Sequence, residues 1–439
     1  MSQNSVILPT TGTVSGLAMT QATNNALDTL NTLSSGSSAP SSPEAGQLWH
    51  DTANNIINLR DQANTAWIPL LNISETTKLA EPAYTMQNTG LANRIINGDM
   101  RIDQVNEGGS YSLPTNNTYT YSCDQWLSAC TSASANTLTV QQTNTAPPNN
   151  LSYSLKTSVG VGASSVGTND FLLLWQPIEA NNINDFAYGS AQAAAISLSF
   201  WFKSSVAGTY CVSLQNEAGS RSLLRPFTIT SANTWQLITL NNIPGDTAGT
   251  WVMNGAVSAM RVYFTAACGT GYQSATVNSW LAGAYYATTS QNNSVLTTSG
   301  ASFQVSGVML NRGSFALPFE KPSYAQSLGQ CERYFEKTFP QGTAVAQSAG
   351  VTGSFGLITA AAGAAGIQAA FRTPKRTTPT LITYNPSAAN ANWRDGTNGA
   401  DRTVGSPVNL SDKGFLAFIT GGAVASAGNY LHYTANARM

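Results

Sequence analysis

Few groups in this chain can do chemistry. Of 439 residues only 21 are acidic, 20 are basic and two are histidine, His50 and His432, in distant parts of the chain. A glycan-cleaving centre needs two carboxylates on either side of a glycosidic bond. Glu179 with Asp185, or Asp395 with Asp401, can be nominated, yet each stands isolated among Asn and Gly with no motif to select it. Asp99, Asp103 and Glu107 recur at four-residue spacing, but their Gly-Asp-Met-Arg-Ile context reads as strand or turn, so they share no helix face. Asp99 and Asp103 could serve a structural calcium ion only with oxygen ligands from separate loops; the alternative is solvent-facing or backbone-capping carboxylates. Serines abound without a G-x-S-x-G elbow, and the stretch 160–167 lacks the Lys-Ser/Thr ending of a phosphate loop. The expectation is a chain that is not an enzyme, with no catalytic residues, no metal and no cofactor.

Binding fits the composition better. Sugar rings stack apolar faces on aromatic side chains, and their hydroxyls bond to amides and hydroxyls. Trp251, Tyr272, Trp280, Tyr285 and Tyr286 lie in or near long polar loops, and Tyr384, Asn385, Trp393, Arg394 and Asp395 form a similar cluster further on. These are the candidate glycan- or receptor-contacting residues, although each aromatic taken singly also reads as a packed core or loop side chain.

The whole composition narrows the partners. Hydrophobic residues make up 42%, enough for packed cores, while charged residues make up only 9%, so Ser, Thr, Asn, Gln and Gly must cover the surface. A formal net charge of -1 offers no basic field to nucleic acid or anionic membrane. The beginning, MSQNSVILPTTGTVSG, has neither the basic start nor the apolar run of a signal peptide, and the small-residue run 360–371 is too short to span a bilayer. Five cysteines, at 123, 130, 211, 268 and 331, are odd in number and lack zinc spacing, so buried free thiols and folding in a reducing cytosol are expected.

The elements that must position these residues read as mainly β. Residues 1–42 form a leader and flexible linker: Leu17, Thr20, Ala26, Leu27, Leu30 and Leu33 partly share a helical face, and SSGSSAPSSP is flexible by composition. Residues 43–71 read as a β-meander of strands at Leu48-Trp49, Ile56–Arg60 and Ala66–Ile68, with turns at Ala53-Asn54-Asn55 and Ala63-Asn64-Thr65. A meander so small should not bury Trp49 and Trp67 alone, which points to identical copies packing Trp49, Ile57, Leu59 and Trp67 about an axis. The alternative is an appendage folded on its neighbour.

Residues 72–92 are a connector, and 93–320 a jelly-roll β-sandwich. In it Ile196, Leu198, Phe200 and Phe202 alternate with polar or outward positions, as do Met260, Val262 and Phe264, with further strands around Tyr210–Leu214 and Trp235–Leu240. Val305–Leu310 reads as its last strand and Asn311-Arg312-Gly313 as the closing turn. A linking helix follows at 321–337, capped by Ser323, with Leu328, Cys331 and Phe335 as its apolar stripe. Residues 338–439 are a C-terminal β-sandwich, with strands at Gly353–Thr359, Ala369–Arg372, Thr380–Tyr384, Gly414–Ile419 and Tyr430–Thr434.

Four stretches carry a family resemblance. "P-x-x-G-x-L-W-x-D-T-x-N-N…W" at 43–67 resembles small modules of phage fibre and baseplate-associated proteins, which implies trimerisation or virion attachment. "NRIINGDMRIDQ" followed by "YSCDQWLSA" resembles the opening of fibre jelly rolls that are similar to carbohydrate-binding modules. The run from Val305 to Lys337 looks like the join between two β domains of tail fibres, and "TPTLITYNPS…NWRDG" with "YLHYTANARM" looks like their distal domain. The resemblance implies a homotrimeric phage tail fibre, made in the host cytoplasm and carried on the virion. Its N-terminal region would bind tail, baseplate or head proteins, and its tip a host surface glycan. Two alternatives remain: a non-virion carbohydrate-binding or adhesion module, and a glycan-depolymerising tailspike.

Overall fold

The computed structural model describes residues 12–75, 79–82, 92–134, 136–145, 147, 148 and 150–439. Residues 1–11 of the expected leader and 76–78 and 83–91 of the expected connector lie outside them. The chain divides into two compact units, Met1–Thr89 and Gly90–Met439.

In the first unit Ser15 caps the helix Gly16–Asn31, its hydroxyl accepting the Ala18 N–H at 3.2 Å. Strands Leu48–Asp51, Ile56–Arg60, Trp67–Ser74 and Leu79–Pro82 form one antiparallel sheet in chain order. The two expected turns are present. Asn55 and Asn64 take left-handed φ of 55° and 53°, and the Asp51 and Asp61 carboxylates accept the turn N–H groups. Two expectations are corrected here. The linker is not free from its first residue: Ser34 and Ser35 are buried, and Gly36 bridges to Asp51, because the sheet edge supplies backbone partners that composition cannot reveal. Nor does Trp49 need a second chain for burial. It packs on Trp67 at 5.3 Å between ring centroids, its Nε1 donates to Gly36 O, and Arg60 lies over Trp67.

The second unit contains two large hydrophobic cores and two smaller clusters. The larger core lies between two antiparallel sheets, the architecture of a β-sandwich. One sheet has the order Trp280–Ala282, Arg221–Ile229, Gly208–Asn216, Ser258–Cys268, Phe171–Glu179, Trp126–Thr131, Thr120–Cys123. The other runs Gln236–Ile243, Ile196–Ser204, Ser302–Arg312, Ser154–Val159, Leu138–Thr143, Tyr111–Ser112. Alternate residues face inward, among them Leu172, Leu174, Val212, Leu214, Phe200, Phe202, Val262 and Phe264. The Asn-Gly-Asp-Met-Arg stretch stitches these layers: Asn97 O accepts Trp126 Nε1, Gly98 O accepts Val308 N, and a Cβ at Gly98 would come within 2.3 Å of Val308 O. The last sandwich strand runs through Asn311 and Arg312, which pair with Ser197 and Ile196, so the chain turns only at Gly313.

The linking helix covers Tyr324–Glu332, with Ser323 and Gln326 in a reciprocal capping box. It carries Leu328 and Cys331 of the expected stripe but ends before Phe335. Phe335 belongs to the strand Phe335–Lys337, because that segment pairs with Gly428–Asn436. Gly428–Asn436 is the hub of the C-terminal portion and also pairs with Phe355–Ile358, Thr380–Tyr384 and Trp393–Asp395. The antiparallel pair Gly363–Ala370 with Gly414–Ala423, whose strands are distant in the chain, closes over a second core of Trp393, Phe415, Ile419, Leu431 and Tyr433. All five cysteines are free and buried, and burial raises the thiols of Cys130, Cys211 and Cys268 to about 12. Among the described residues no helix is long and apolar enough to cross a membrane.

Candidate functional site: an aromatic cleft on the outer face of the seven-stranded sheet

The seven-stranded sheet is apolar on its outer face as well. Phe171, Leu173 and Trp175 point away from the sandwich core, while their neighbours Leu172 and Leu174 point into it. Cross-strand register sets Ala129 beside Leu173, and Leu127 and Tyr263 on either side of Trp175. Tyr263 lies 5.6 Å from Trp175, and Tyr119 stands edge-on to Trp175 at 5.9 Å with 65% of its surface exposed. Tyr286 closes the row, 5.1 Å from Tyr263 and 5.6 Å from Phe171.

These side chains line a cleft of about 380 Å³, a volume in the range of small-molecule sites. Asn117, Glu217, Ser258 and Arg261 add polar groups to its lining. Arg261 forms an ion pair with Glu217 and reaches the Tyr263 hydroxyl at 3.4 Å, and Ser258 Oγ is buried without a hydrogen-bond partner. Burial raises the Tyr263 and Tyr286 phenols above their ordinary range, so both remain neutral hydroxyls. The loop that carries Tyr285 and Tyr286 is pinned across the sheet. Ser213 Oγ and Gln215 Nε2 donate to Tyr285 O at 2.6 and 2.8 Å, and Thr265 Oγ1 donates to Tyr286 O at 2.7 Å.

The structure separates the residues nominated from sequence. Tyr286 lines the cleft and Tyr272 abuts it, 5.2 Å from Tyr286, while Tyr285 packs beside Cys211, Leu224 and Cys268. Trp251 and Trp280 lie elsewhere. They meet edge to face at 5.3 Å, with Tyr188 on both, and pack against the main core. Their indole N–H groups are spent on Asp246 and Pro244 O. Burial alone would raise the Asp246 carboxyl, but Arg221 grips both of its oxygens at 2.7 Å and holds it below the usual range.

In the C-terminal portion the nominated cluster lies mostly inside. Trp393, Asn385 and Asp395 have 0% exposure; Tyr384 and Arg394 are half-buried. Asn385 holds a turn by accepting Ser387 N and Ala388 N. Burial would raise Asp395, but Arg402 and Asn398 bond to it and hold it at about 2.

The nominated carboxylates each meet an arginine: Glu179 with Arg333, Asp185 with Arg94, Asp395 with Arg402 and Asp401 with Arg394. Glu179 is also no loop residue. It ends a strand and accepts the Tyr334 hydroxyl at 2.7 Å, which ties the sandwich to the C-terminal portion. Asp99 and Asp103 are buried rather than solvent-facing: Asp99 meets Arg101 at 3.3 Å and Asp103 accepts the Asn106 and Gly108 N–H groups. Among the described residues no three His, Cys, Asp or Glu side chains gather as metal ligands would.

Tyr119, Trp175, Tyr263, Arg261 and Glu217 escaped the reading of the sequence. A signal for them exists: Phe171–Trp175 is apolar at five successive positions, so both faces of that strand must be occupied.

No protein-family model matches the chain, and no curated protein is similar to it in sequence. Several solved structures are similar to part of it. A tailspike enzymatically active domain from bacteriophage CBA120 is 14% identical over 50% of this chain, with a TM-score of 0.27, and the match spans only 21% of that domain. A family 11 carbohydrate-binding module from Clostridium thermocellum, solved with a β-1,3-1,4-mixed-linked tetrasaccharide, is 13% identical over 47% of this chain and 97% of its own, with a TM-score of 0.24. The xylan-binding CBM22-1 domain from Paenibacillus barcinonensis is 9% identical over 47% of this chain and 96% of its own, with a TM-score of 0.21. At such values they do not say what this chain binds.

Proposed function

We propose that this chain is a non-enzymatic virion fibre protein of a phage, which recognises a glycan of the host surface through the aromatic cleft of its sandwich. The observation that carries the glycan reading is the outer face of the seven-stranded sheet, where Tyr119 and Tyr286 offer ring surface beside the Arg261–Glu217 pair. Rings to stack on, with fixed donors and acceptors at their edge, are what a pyranose needs. In this reading residues 93–320 and 338–439 act as two domains joined at 321–337. The first 71 residues attach to tail, baseplate or head proteins and hold a homotrimer.

Support for the assembly comes from the fibre-like sequence stretches and from the first unit itself. Leu17, Leu27 and Leu30 on its helix, and Leu48, Ile68 and Leu70 on its sheet, are exposed in a single chain.

The test is calorimetric titration of the full chain with host surface polysaccharide. Tyr119→Ala combined with Tyr286→Ala should weaken binding at least about tenfold, the scale of one lost stacking contact. Unchanged affinity would sink the cleft. Reducing ends released from the same polysaccharide would instead make the chain a depolymerase. Light scattering should return three times the chain mass, and one chain mass for Leu17→Ser/Leu27→Ser/Leu30→Ser; a monomeric full chain removes the fibre reading.

A further inference from the structure

A second cleft, of about 590 Å³, opens in the same unit and shares no lining residue with the aromatic one. Three parts of the chain build it. The turn from Asp99 to Gly108, with Gln142, Ser152 and Tyr153, belongs to the sandwich; Lys321 and Tyr324 begin the link; Gln341 and Gly342 open the C-terminal portion. Two tyrosines present ring surface there, Tyr153 with 37% and Tyr324 with 48% of its area exposed.

The charged side chains of the cleft already make internal contacts, as ion pairs for Arg101, Asp99 and Glu107 and as bonds to backbone groups for Lys321 and Asp103. Arg101 lies over the Tyr324 ring at 5.8 Å, reaches Asp99 at 3.3 Å and donates to Pro322 O, Ser323 O and Ser327 Oγ. Lys321 Nζ donates to Asn150 O, Glu107 pairs with the buried Lys337, and Asp103 is capped by two backbone N–H groups. A neutral ligand would leave all of these contacts in place. What remains on offer is neutral: two phenol rings with their hydroxyls, the Gln341 amide, and the Gln142 carbonyl oxygen, whose own amide nitrogen is spent on Met100 O.

We propose that this cleft is a second saccharide site, one that takes a neutral, hydroxyl-rich sugar and, when filled, ties the sandwich to the C-terminal portion. It borrows from the proposed function only the ligand class; its residues and its test are separate. Tyr153, Tyr324 and Gln341 come from the three parts of the chain that line the cleft, so a sugar that fills it should raise the melting temperature of the full chain.

The experiment titrates the full chain with a panel of neutral gluco-, galacto- and xylo-oligosaccharides, reading stoichiometry by calorimetry and melting in parallel. The expected result is two sugar equivalents per chain, one lost in Tyr153→Ala/Tyr324→Ala and kept in Tyr153→Phe/Tyr324→Phe. Both rings are exposed, so the alanine pair should melt with the wild-type chain when no sugar is present; the phenylalanine pair covers the case in which it does not. One equivalent that ignores Tyr153 and Tyr324 but is lost in Tyr119→Ala/Tyr286→Ala overturns the second site and leaves the proposed function standing. One equivalent lost only in Tyr153→Ala/Tyr324→Ala does the reverse. Tighter binding of a sialylated or phosphorylated sugar than of every neutral one overturns the ligand class, and no binding by any sugar overturns both readings.

Discussion

The aromatic cleft and the Tyr384–Asp395 segment are made of nearly the same residues and use them in opposite ways. In the cleft, Trp175 and Tyr263 form a buried floor with an Arg–Glu pair beside it, while Tyr119 stays 65% exposed and Tyr286 half-buried at its edge. In the C-terminal segment, Trp393 is sealed under Phe355, its indole N–H bonded to Phe418 O, and Asp395 is bound by Arg402. The paired strands Gly363–Ala370 and Gly414–Ala423 make the difference, because they lay Phe415 and Ile419 against that core. An aromatic beside a charge is thus left at a cleft or sealed in a core according to whether another layer lies over it.

Changes that treat the two regions alike should expose the contrast. The largest effect is expected from Trp393→Ala, which removes a fully buried indole: a loss of about 3–5 kcal/mol of stability, read by denaturant unfolding. A cost below ~1 kcal/mol would mean the ring is not a core side chain. Asp395→Ala comes next, at about 2 kcal/mol, since Arg402 and the N–H groups of Thr397 and Asn398 lose their acceptor. The same carboxylate gives a pH signature. Its folded pKa of about 2 lies below the ordinary 3.8, so its contribution is present above about pH 4 and fades as pH falls toward 2. Asp395→Ala should flatten the stability curve over that window.

Tyr119→Ala should do the converse of Trp393→Ala. Stability should change by no more than ~0.5 kcal/mol, as for an exposed side chain, while glycan affinity falls. A large loss of stability would erase the distinction between the regions.

The smallest effect belongs to His432. Burial lowers its pKa below 6.5; it stacks on Phe339 at 4.1 Å, and its ring nitrogens meet Thr338 Oγ1 and Gly350 O. The unfolded chain takes up the proton first as pH falls through 6.5, so stability should decline there, and His432→Gln should remove that slope. No difference between the two pH profiles would place the imidazole in water.

How much of this was legible varied with the kind of signal. Turns were the clearest, because Asn55 and Asn64 adopt left-handed φ that few other residues tolerate, and Asp51 and Asp61 cap them locally. Strands with alternating faces, such as Ile196–Ser204, were legible from the same local logic. Contacts between distant segments were not. Nothing local announces that Gly36 completes the sheet edge at Asp51, that Phe335 leaves the helix to pair with Asn436, or that Arg333 and Tyr334 close on Glu179.

The sequence by itself therefore determined the β character, the turn positions, the capped helix after Ser323 and the neutral hydroxyl- and amide-rich surface, since each follows from local backbone preference or composition. Only the tertiary structure decided which aromatics stand at a cleft and which are sealed in a core. Exposure depends on what the rest of the chain lays over a side chain, and that choice sent Trp393 inside and left Tyr119 at the rim of a cleft.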